Sequence, residues 1–181
     1  MLNRISTMDA MFIALMAACG VALKPVVGIA ARFIGSALVM PGGIVAGAVY
    51  MLLPMLALLV VQRFGAAFMV GFMEAIIVIV TGSYGSHGIM SLITYTTPCL
   101  VIELVYFAIS KIRYRWLLFL PTGAGNMAGT ALIGIFFMRL PLIPLLISLV
   151  PAFVFGGLGG IFASRIYDLL IKSFPQFEKS F

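Results

Sequence analysis

Long apolar stretches, separated by short polar segments, make up most of this sequence. A helix needs about 20 mostly apolar residues to cross a bilayer. Hydrophobic residues are 64% of the 181 residues, and charged residues are only 9%. Because a soluble domain carries about 25% charged residues, this composition excludes a soluble fold. We therefore expect an all-α polytopic membrane protein that forms a single membrane domain over residues 1–181.

The apolar stretches predict six transmembrane helices. Their expected bounds are residues 8–23, 42–61, 65–81, 88–110, 116–138 and 144–171. Residues 25–41 (PVVGIAARFIGSALVMP) are apolar but are interrupted by Arg32, Gly35 and Pro41. We expect this part to be a loop or re-entrant segment, with a short helix lying over the bundle as the preferred form. An even number of spans places both termini on the same side of the membrane.

The basic residues predict the orientation of the helices, because cytoplasmic loops carry an excess of Lys and Arg. The predicted side with both termini holds eight of the eleven basic residues: Arg4, Arg63, Lys111, Arg113, Arg115, Arg165, Lys172 and Lys179. The opposite side holds Lys24, Arg32 and Arg139. We expect cytoplasmic N- and C-termini. The net charge of +6 then faces anionic lipid headgroups, so nucleic acid is not needed as a partner.

Two acidic residues, Glu74 and Glu103, lie inside predicted spans. A carboxylate at the centre of a bilayer costs about 2.5–3.5 kcal/mol, and such residues usually face the bundle interior and mark a substrate path. We estimated their depth by counting from basic residues at the cytoplasmic helix ends, at about 1.5 Å per residue. This places both glutamates and Asn126 of the fifth helix within about one helical turn of the same depth.

This polar layer predicts a pocket that opens to the outside and binds a cationic or amine-bearing ligand. The two carboxylates would neutralise the ligand, and Asn126, Tyr95 and Thr96 would supply hydrogen bonds. The alternative is that a glutamate is protonated and bonds a neighbouring helix. A glutamate paired with a cation such as Arg32, folded inward, is equally an alternative.

The loop at residues 81–88 (TGSYGSHG) is the most loop-like part of the chain. Its glycines permit unusual backbone angles, and Tyr84 and His87 supply a ring and an imidazole. The loop predicts a mobile lid over the pocket, and the alternative is a plain tight connection. His87 is the only histidine, and Cys19 and Cys99 lie in separate apolar stretches. We therefore expect no metal site, no disulfide and no cofactor.

Small residues form a ribbon along the first helix. Ala10, Ala14, Ala18 and Ala22 recur every four residues, which places them on one helix face. Such faces let another helix approach closely in lipid, so we expect a surface for a partner protein. The alternative is contact inside this protein's own bundle, which we favour for Gly156 and Gly160 of the sixth helix.

Together these features resemble the substrate-binding S component of an energy-coupling factor (ECF) vitamin transporter. Residues 40–107 are most similar to S components for thiamin and its hydroxymethylpyrimidine precursor. The similarity lies in PGGIVAGAVYMLLPMLALLV, the Arg-Phe-Gly-Ala-Ala entry to the third helix, and the two glutamates. Unlike a thiamin binder, the chain has no tryptophan-rich box, and Trp116 is predicted on the cytoplasmic side. A smaller aminopyrimidine or another amine-bearing nutrient therefore stays open.

The resemblance implies a binding subunit in the bacterial cytoplasmic membrane that captures a vitamin from outside. It implies delivery while docked on a transmembrane T component driven by two ATPases, with Ala10, Ala14 and Ala18 contacting the T component. The chain has no GxxxxGK[ST] motif, so energy must come from partners. One alternative is a stand-alone proton-coupled carrier of organic cations. We expect no enzyme, because no Ser-His pair, HExxH or aspartate-rich motif is present.

Overall fold

The computed structural model describes residues 5–37, 41–82, 88–109 and 115–174. Seven α-helices make up almost all of this part of the chain, and it contains no strand. The helices are α1 Thr7–Ala37, α2 Gly42–Tyr50, α3 Leu52–Val61, α4 Ala66–Thr81, α5 Ser91–Ile109, α6 Phe119–Phe136 and α7 Leu142–Ser173. A 3-10 helix, Arg115–Leu118, leads into α6.

Within the described residues, five helical segments are long and apolar enough to cross a membrane, and one of them is α2 and α3 taken together, Gly42–Val61. The fold class predicted from composition, an all-α polytopic membrane protein, is therefore confirmed. Helix α4 is apolar but has 16 residues, so it extends only about 24 Å. The total of six spans and the cytoplasmic placement of the termini remain predictions.

Helix α1 is longer than the sequence analysis predicts. Residues 25–37, expected as a loop or re-entrant segment, continue this helix without a break through Pro25, and residues 38–40 lie outside the described part. A proline is tolerated in a membrane helix where neighbouring groups satisfy the freed backbone. Small buried residues at Gly28, Ala31 and Gly35 continue the helical spacing, so this half of α1 packs on α2 as a regular helix.

Helix α3 forms the centre of the bundle. All of its residues from 53 to 61 are buried, and it contacts α1, α4 and α7. A helix that is apolar on every side is expected in the middle of a bundle. The span formed by α2 and α3 is interrupted at Met51. Helix α2 lines a cavity that is described below, whereas α3 fills the core of the bundle.

Ion pairs gather several helix ends at one end of the bundle. Arg63, which follows α3, lies 3.8 Å from Asp9 at the start of α1, and Arg115 pairs with Asp168 near the end of α7. Ser6 and Asp9 exchange backbone-to-side-chain hydrogen bonds of 3.1 Å, which form a capping box at the start of α1. These basic residues belong to the set predicted as cytoplasmic.

The glycine run of α7 packs inside the bundle, as the sequence analysis expects. A Cβ atom added at Gly156 would overlap Asn126 and the Thr122 carbonyl, and one added at Gly160 would overlap Thr122 and the Leu118 carbonyl. Glycine at these two positions lets α7 approach α6 closely. The internal-packing prediction for Gly156 and Gly160 is therefore confirmed.

Candidate functional site

A cavity of about 380 Å³ lies between α1, α2, α4, α5, α6 and the first half of α7. Small-molecule sites usually enclose about 300–1,000 Å³, so this cavity suits a small ligand. Apolar side chains form most of its wall. The polar side chains of the wall are Lys24, Arg32, Tyr50, Glu74, Thr94, Tyr95, Asn126, Thr130 and Ser148.

An ion pair between Glu74 and Lys24 forms the charged centre of the wall. The Lys24 ammonium donates to Glu74 Oε2 over 2.5 Å and lies 3.9 Å from the centre of the Tyr95 ring. The side chains of Lys24 and Glu74 are only 5% and 10% exposed. Glu74 is therefore paired with a cation folded inward, which is the alternative that the sequence left open, although the cation is Lys24 rather than Arg32.

Gly20 explains how this pair fits between α1 and α4. A Cβ atom added there would overlap the Glu74 carboxyl group, so a larger residue would displace this carboxyl group from its place against α1. One turn later, Lys24 then reaches the same carboxylate from the same helix face. The spacing from Gly20 through Lys24 to Gly28 follows the buried face of α1.

Glu103 lies elsewhere, since it is absent from the described wall that contains Glu74, and the structure does not bring the two glutamates together at this cavity. Glu103 is fully buried, and its Oε1 accepts a 2.6 Å hydrogen bond from the Gly65 N–H at the start of α4. Glu74 lies nine residues after Gly65, which is about 13 Å further along α4. Counting residues from basic end markers does not include axial shifts between neighbouring helices, so it does not show that Glu103 lies beside Gly65.

The Glu103 carboxyl group caps the start of α4. A negative charge is stabilised at a helix N-terminus, where backbone N–H groups point outward. Its other oxygen, Oε2, has no hydrogen-bond partner among the described residues, and Glu103 is absent from the described part of the cavity wall. Glu103 thus serves the packing of α4 against α5.

Asn126 joins three helices next to the cavity. Its Nδ2 donates to the Ile44 carbonyl over 3.2 Å and to the Ala152 carbonyl over 2.8 Å, which links α6 to α2 and α7. Gly47 and Gly156 leave the space that this side chain fills. Because both N–H donors are used, the amide oxygen is the group that Asn126 can offer to a ligand.

The other predicted ligand residues have different positions. Tyr95 lines the cavity, as expected. The Thr96 hydroxyl donates to the Leu92 carbonyl in its own helix, and Thr96 is not part of the described wall. Tyr84 and His87 of the predicted lid lie outside the described residues.

Lys24 and Tyr50 are wall residues that the sequence analysis did not select. The sequence analysis predicts Lys24 to be an outer basic residue, although it interrupts an apolar stretch and shares a face with Gly20 and Gly28. Such a lysine, flanked by small residues at four-residue spacing, is a signal that could have identified it. Tyr50 donates to the Lys24 backbone carbonyl over 3.4 Å, but the sequence around Tyr50 contains no comparable signal of a cavity residue.

The alanine ribbon of α1 faces away from the cavity. Ala10 and Ala18 are exposed and Ala14 is half-buried, whereas the opposite face of α1 carries Lys24 and the buried glycines. The exposed neighbours Met11 and Leu15 make the surroundings apolar. This face is thus open to lipid or to another protein.

Metal ligands are sparse in the part of the chain that the structure describes. No group of three or more His, Cys, Asp or Glu side chains converges there. Cys19 and Cys99 are not disulfide-bonded to each other. The polar side chains of the described wall are therefore the Lys24–Glu74 ion pair, the Arg32 guanidinium, hydroxyl groups and an amide.

A family comparison matches the region that builds this site. The sequence profile described as "ABC-type cobalt transport system, permease component" matches residues 8–129, which include Lys24, Glu74, Tyr95 and Asn126. The chain belongs to this permease family. It is therefore the permease subunit of a membrane transport system.

A solved structure described as "Crystal structure of an S-component of ECF transporter" has the same fold as this permease. The TM-score is 0.75 at 16% sequence identity, and the match covers 93% of this chain and 86% of that chain. No curated protein sequence matches the permease. At this level of identity the likeness establishes the fold alone.

Proposed function

We propose that this permease is the substrate-binding S component of an ECF-type importer for a small amine-bearing nitrogen heterocycle of the thiamin-precursor class. The observation that carries the proposal is the cavity with the Glu74–Lys24 pair, Tyr95 and Asn126 in its wall. The shared fold with an S component and membership of a transport permease family support the same function.

The wall suits a flat heterocycle with hydrogen-bonding edges. The rings of Tyr50 and Tyr95 offer faces for stacking. Glu74 and the free amide oxygen of Asn126 accept hydrogen bonds from an amine, and Lys24 donates to a ring nitrogen. The volume of about 380 Å³ is within the usual range of ligand sites, and it accommodates an aminopyrimidine ring.

The family's description names cobalt, but the donor set of this cavity favours an organic ligand. Divalent cobalt is held by several imidazole, thiolate or carboxylate ligands. Here the Glu74 carboxylate already binds the Lys24 ammonium, and a divalent cation beside that ammonium would be repelled. The wall is therefore better matched to a nitrogen heterocycle.

Energy for import would come from partner subunits. The chain has no phosphate-binding GxxxxGK[ST] motif, so we propose that a T component and two ATPases drive the transport cycle. The alanine face with Ala10, Ala14 and Ala18 is the proposed surface for the T component, because small side chains let a second helix approach closely in lipid.

Native mass spectrometry of the purified permease tests the ligand part of this proposal. We expect a bound small molecule with the mass of an aminopyrimidine, and we expect its loss in Glu74→Gln. Binding of divalent cobalt in place of any organic molecule would contradict the proposed ligand. Ligand binding that is unaffected by Glu74→Gln would contradict the proposed site.

A further inference from the structure

The Lys24 ammonium occupies the position where a ligand cation would have been expected. It is held on one side by the Glu74 carboxylate at 2.5 Å and on another by the Tyr95 ring at 3.9 Å. A carboxylate and an aromatic face together form a site for an ammonium group. The chain's own lysine fills that site.

The buried position of Lys24 keeps this ammonium in place. Its side chain is only 5% exposed, and breaking a buried pair leaves an uncompensated charge, which is strongly unfavourable. The Lys24 backbone carbonyl accepts a hydrogen bond from the Tyr50 hydroxyl, and Gly20 holds the Glu74 carboxyl against α1. The pair is thus a part of the wall, with its two charges already matched.

The charge of the wall then decides which ligands fit. The charged residues of the described wall are Lys24, Arg32 and Glu74, and the Glu74 carboxylate already binds the Lys24 ammonium. A ligand with its own ammonium group would add another cation beside Lys24 with the same single carboxylate, and this repulsion is strong away from bulk water. A neutral heterocycle adds no charge.

We propose that Lys24 is a specificity-determining residue that makes the cavity select neutral amine-bearing heterocycles and reject organic cations. This inference rests on the proposed function, since it concerns the ligand of the same cavity. Lys24 neutralises Glu74 and presents N–H donors, while Glu74 keeps an acceptor oxygen. The two side chains together match a ring nitrogen next to an aromatic amine, and neither interaction needs a charged ligand.

Two probes of nearly identical shape test the inference at neutral pH. One is 4-amino-5-hydroxymethyl-2-methylpyrimidine, which is neutral, and the other is its 5-aminomethyl analogue, which carries an ammonium group. We expect the wild-type permease to bind the neutral probe at least about tenfold more tightly, and Lys24→Met to lose or invert this preference. Lys172→Met, which removes an exposed lysine at the end of α7, is the matched control and keeps the wild-type preference.

A second variant covers the case in which Lys24→Met does not fold with Glu74 unpaired. Lys24→Met combined with Glu74→Gln removes both charges, and we expect it to bind both probes weakly and without preference. Retention of the wild-type preference in either variant would overturn the role of Lys24. Absence of binding of both probes to the wild type would instead overturn the proposed function, and the inference with it.

Thermal unfolding with a small cation tests the role of Lys24 without either pyrimidine probe, and so independently of the proposed function. Lys24→Ala leaves a gap beside Glu74 and Tyr95, which n-propylammonium can fill. We expect this cation to raise the Tm of Lys24→Ala, with no effect of n-propanol, and to leave the wild type unchanged because Lys24 already fills the site. Equal shifts in Lys24→Ala and wild type would show that Lys24 does not exclude cations.

Discussion

At the scale of single residues, Lys24 and Glu74 combine two charges that are each unfavourable inside a membrane. A charged residue within a transmembrane segment usually pairs with another or lines a functional cavity, and this pair does both. Glu74 could be selected from the sequence because a carboxylate stands out in an apolar stretch. Lys24 could not be selected as readily, because a lysine near a helix end is normally read as an orientation signal.

Glu103 shows the limit of depth counting from sequence. The residue is correctly placed inside a span, but its carboxyl group binds the start of α4 because α4 and α5 are shifted relative to each other along their axes. No sequence signal reports such a shift, since it depends on how the helices pack. The helix-capping role could be recognised only once Gly65 and Glu103 were seen together.

Glu103→Gln is expected to lower stability without changing ligand affinity. The substitution replaces the carboxyl group that accepts from the Gly65 N–H with a neutral amide, and an acidic group at a helix N-terminus is worth up to about 2 kcal/mol. It also places N–H donors where Oε2 has no partner among the described residues. A lower Tm with unchanged ligand binding is the predicted result. Weaker ligand binding at unchanged Tm would contradict this role and would indicate that Glu103 contributes to the ligand site.

Gly20→Val is expected to disturb the ion pair. The added side chain would overlap the Glu74 carboxyl group, and overpacking of this kind costs about 1–3 kcal/mol. We predict a lower Tm and weaker ligand binding together. Ala30→Val, at an exposed position of the same helix, is the control and should change neither. Unaffected binding in Gly20→Val would mean that this contact does not position Glu74.

At the scale of elements, α1 has two faces with different tasks. One face carries Gly20, Lys24 and Gly28 toward the cavity, and the other carries Ala10 and Ala18 outward. Periodicity revealed the alanine face from sequence alone. It did not reveal that the helix continues through Pro25, because proline and arginine in an apolar stretch predict a break, whereas packing against α2 keeps this half helical.

Ala18→Leu tests the outer face of α1. If the T component docks there, a larger side chain should prevent close helix approach and strongly reduce uptake by the assembled transporter. Ligand binding by the purified permease should stay intact, because Ala18 lies on the face opposite the cavity. Ala30→Leu makes the same change at an exposed alanine of α1 outside the ribbon, and it should support normal uptake. Loss of ligand binding in Ala18→Leu would indicate an internal packing role.

At the scale of the whole molecule, the apolar composition was enough to predict the fold class, because the bilayer allows few solutions beyond helices. The position of the cavity was not predictable to the same degree, since it depends on where glycines such as Gly20 and Gly156 let helices approach. Membership of the permease family and the fold of an S component then limit the function to one part of a transport system.

Reconstitution into liposomes separates a subunit from a complete carrier. We expect the permease alone to show no uptake of the neutral aminopyrimidine probe under a proton gradient, and we expect uptake with ATP once a T component and two ATPases are present. The physical reason is that the chain has no nucleotide-binding motif of its own. Uptake by the permease alone would favour a proton-coupled carrier instead.

Isothermal titration of the purified permease with 4-amino-5-hydroxymethyl-2-methylpyrimidine tests the central claim most directly. We predict saturable binding at one site in the wild type and at least about tenfold weaker binding in Glu74→Gln, because the amide replaces the carboxylate that accepts from the ligand amine and leaves the buried Lys24 ammonium without its counter-charge. Glu103→Gln should bind like the wild type, since that glutamate caps α4. Equal affinity in wild type and Glu74→Gln, or no binding to the wild type, would contradict the account.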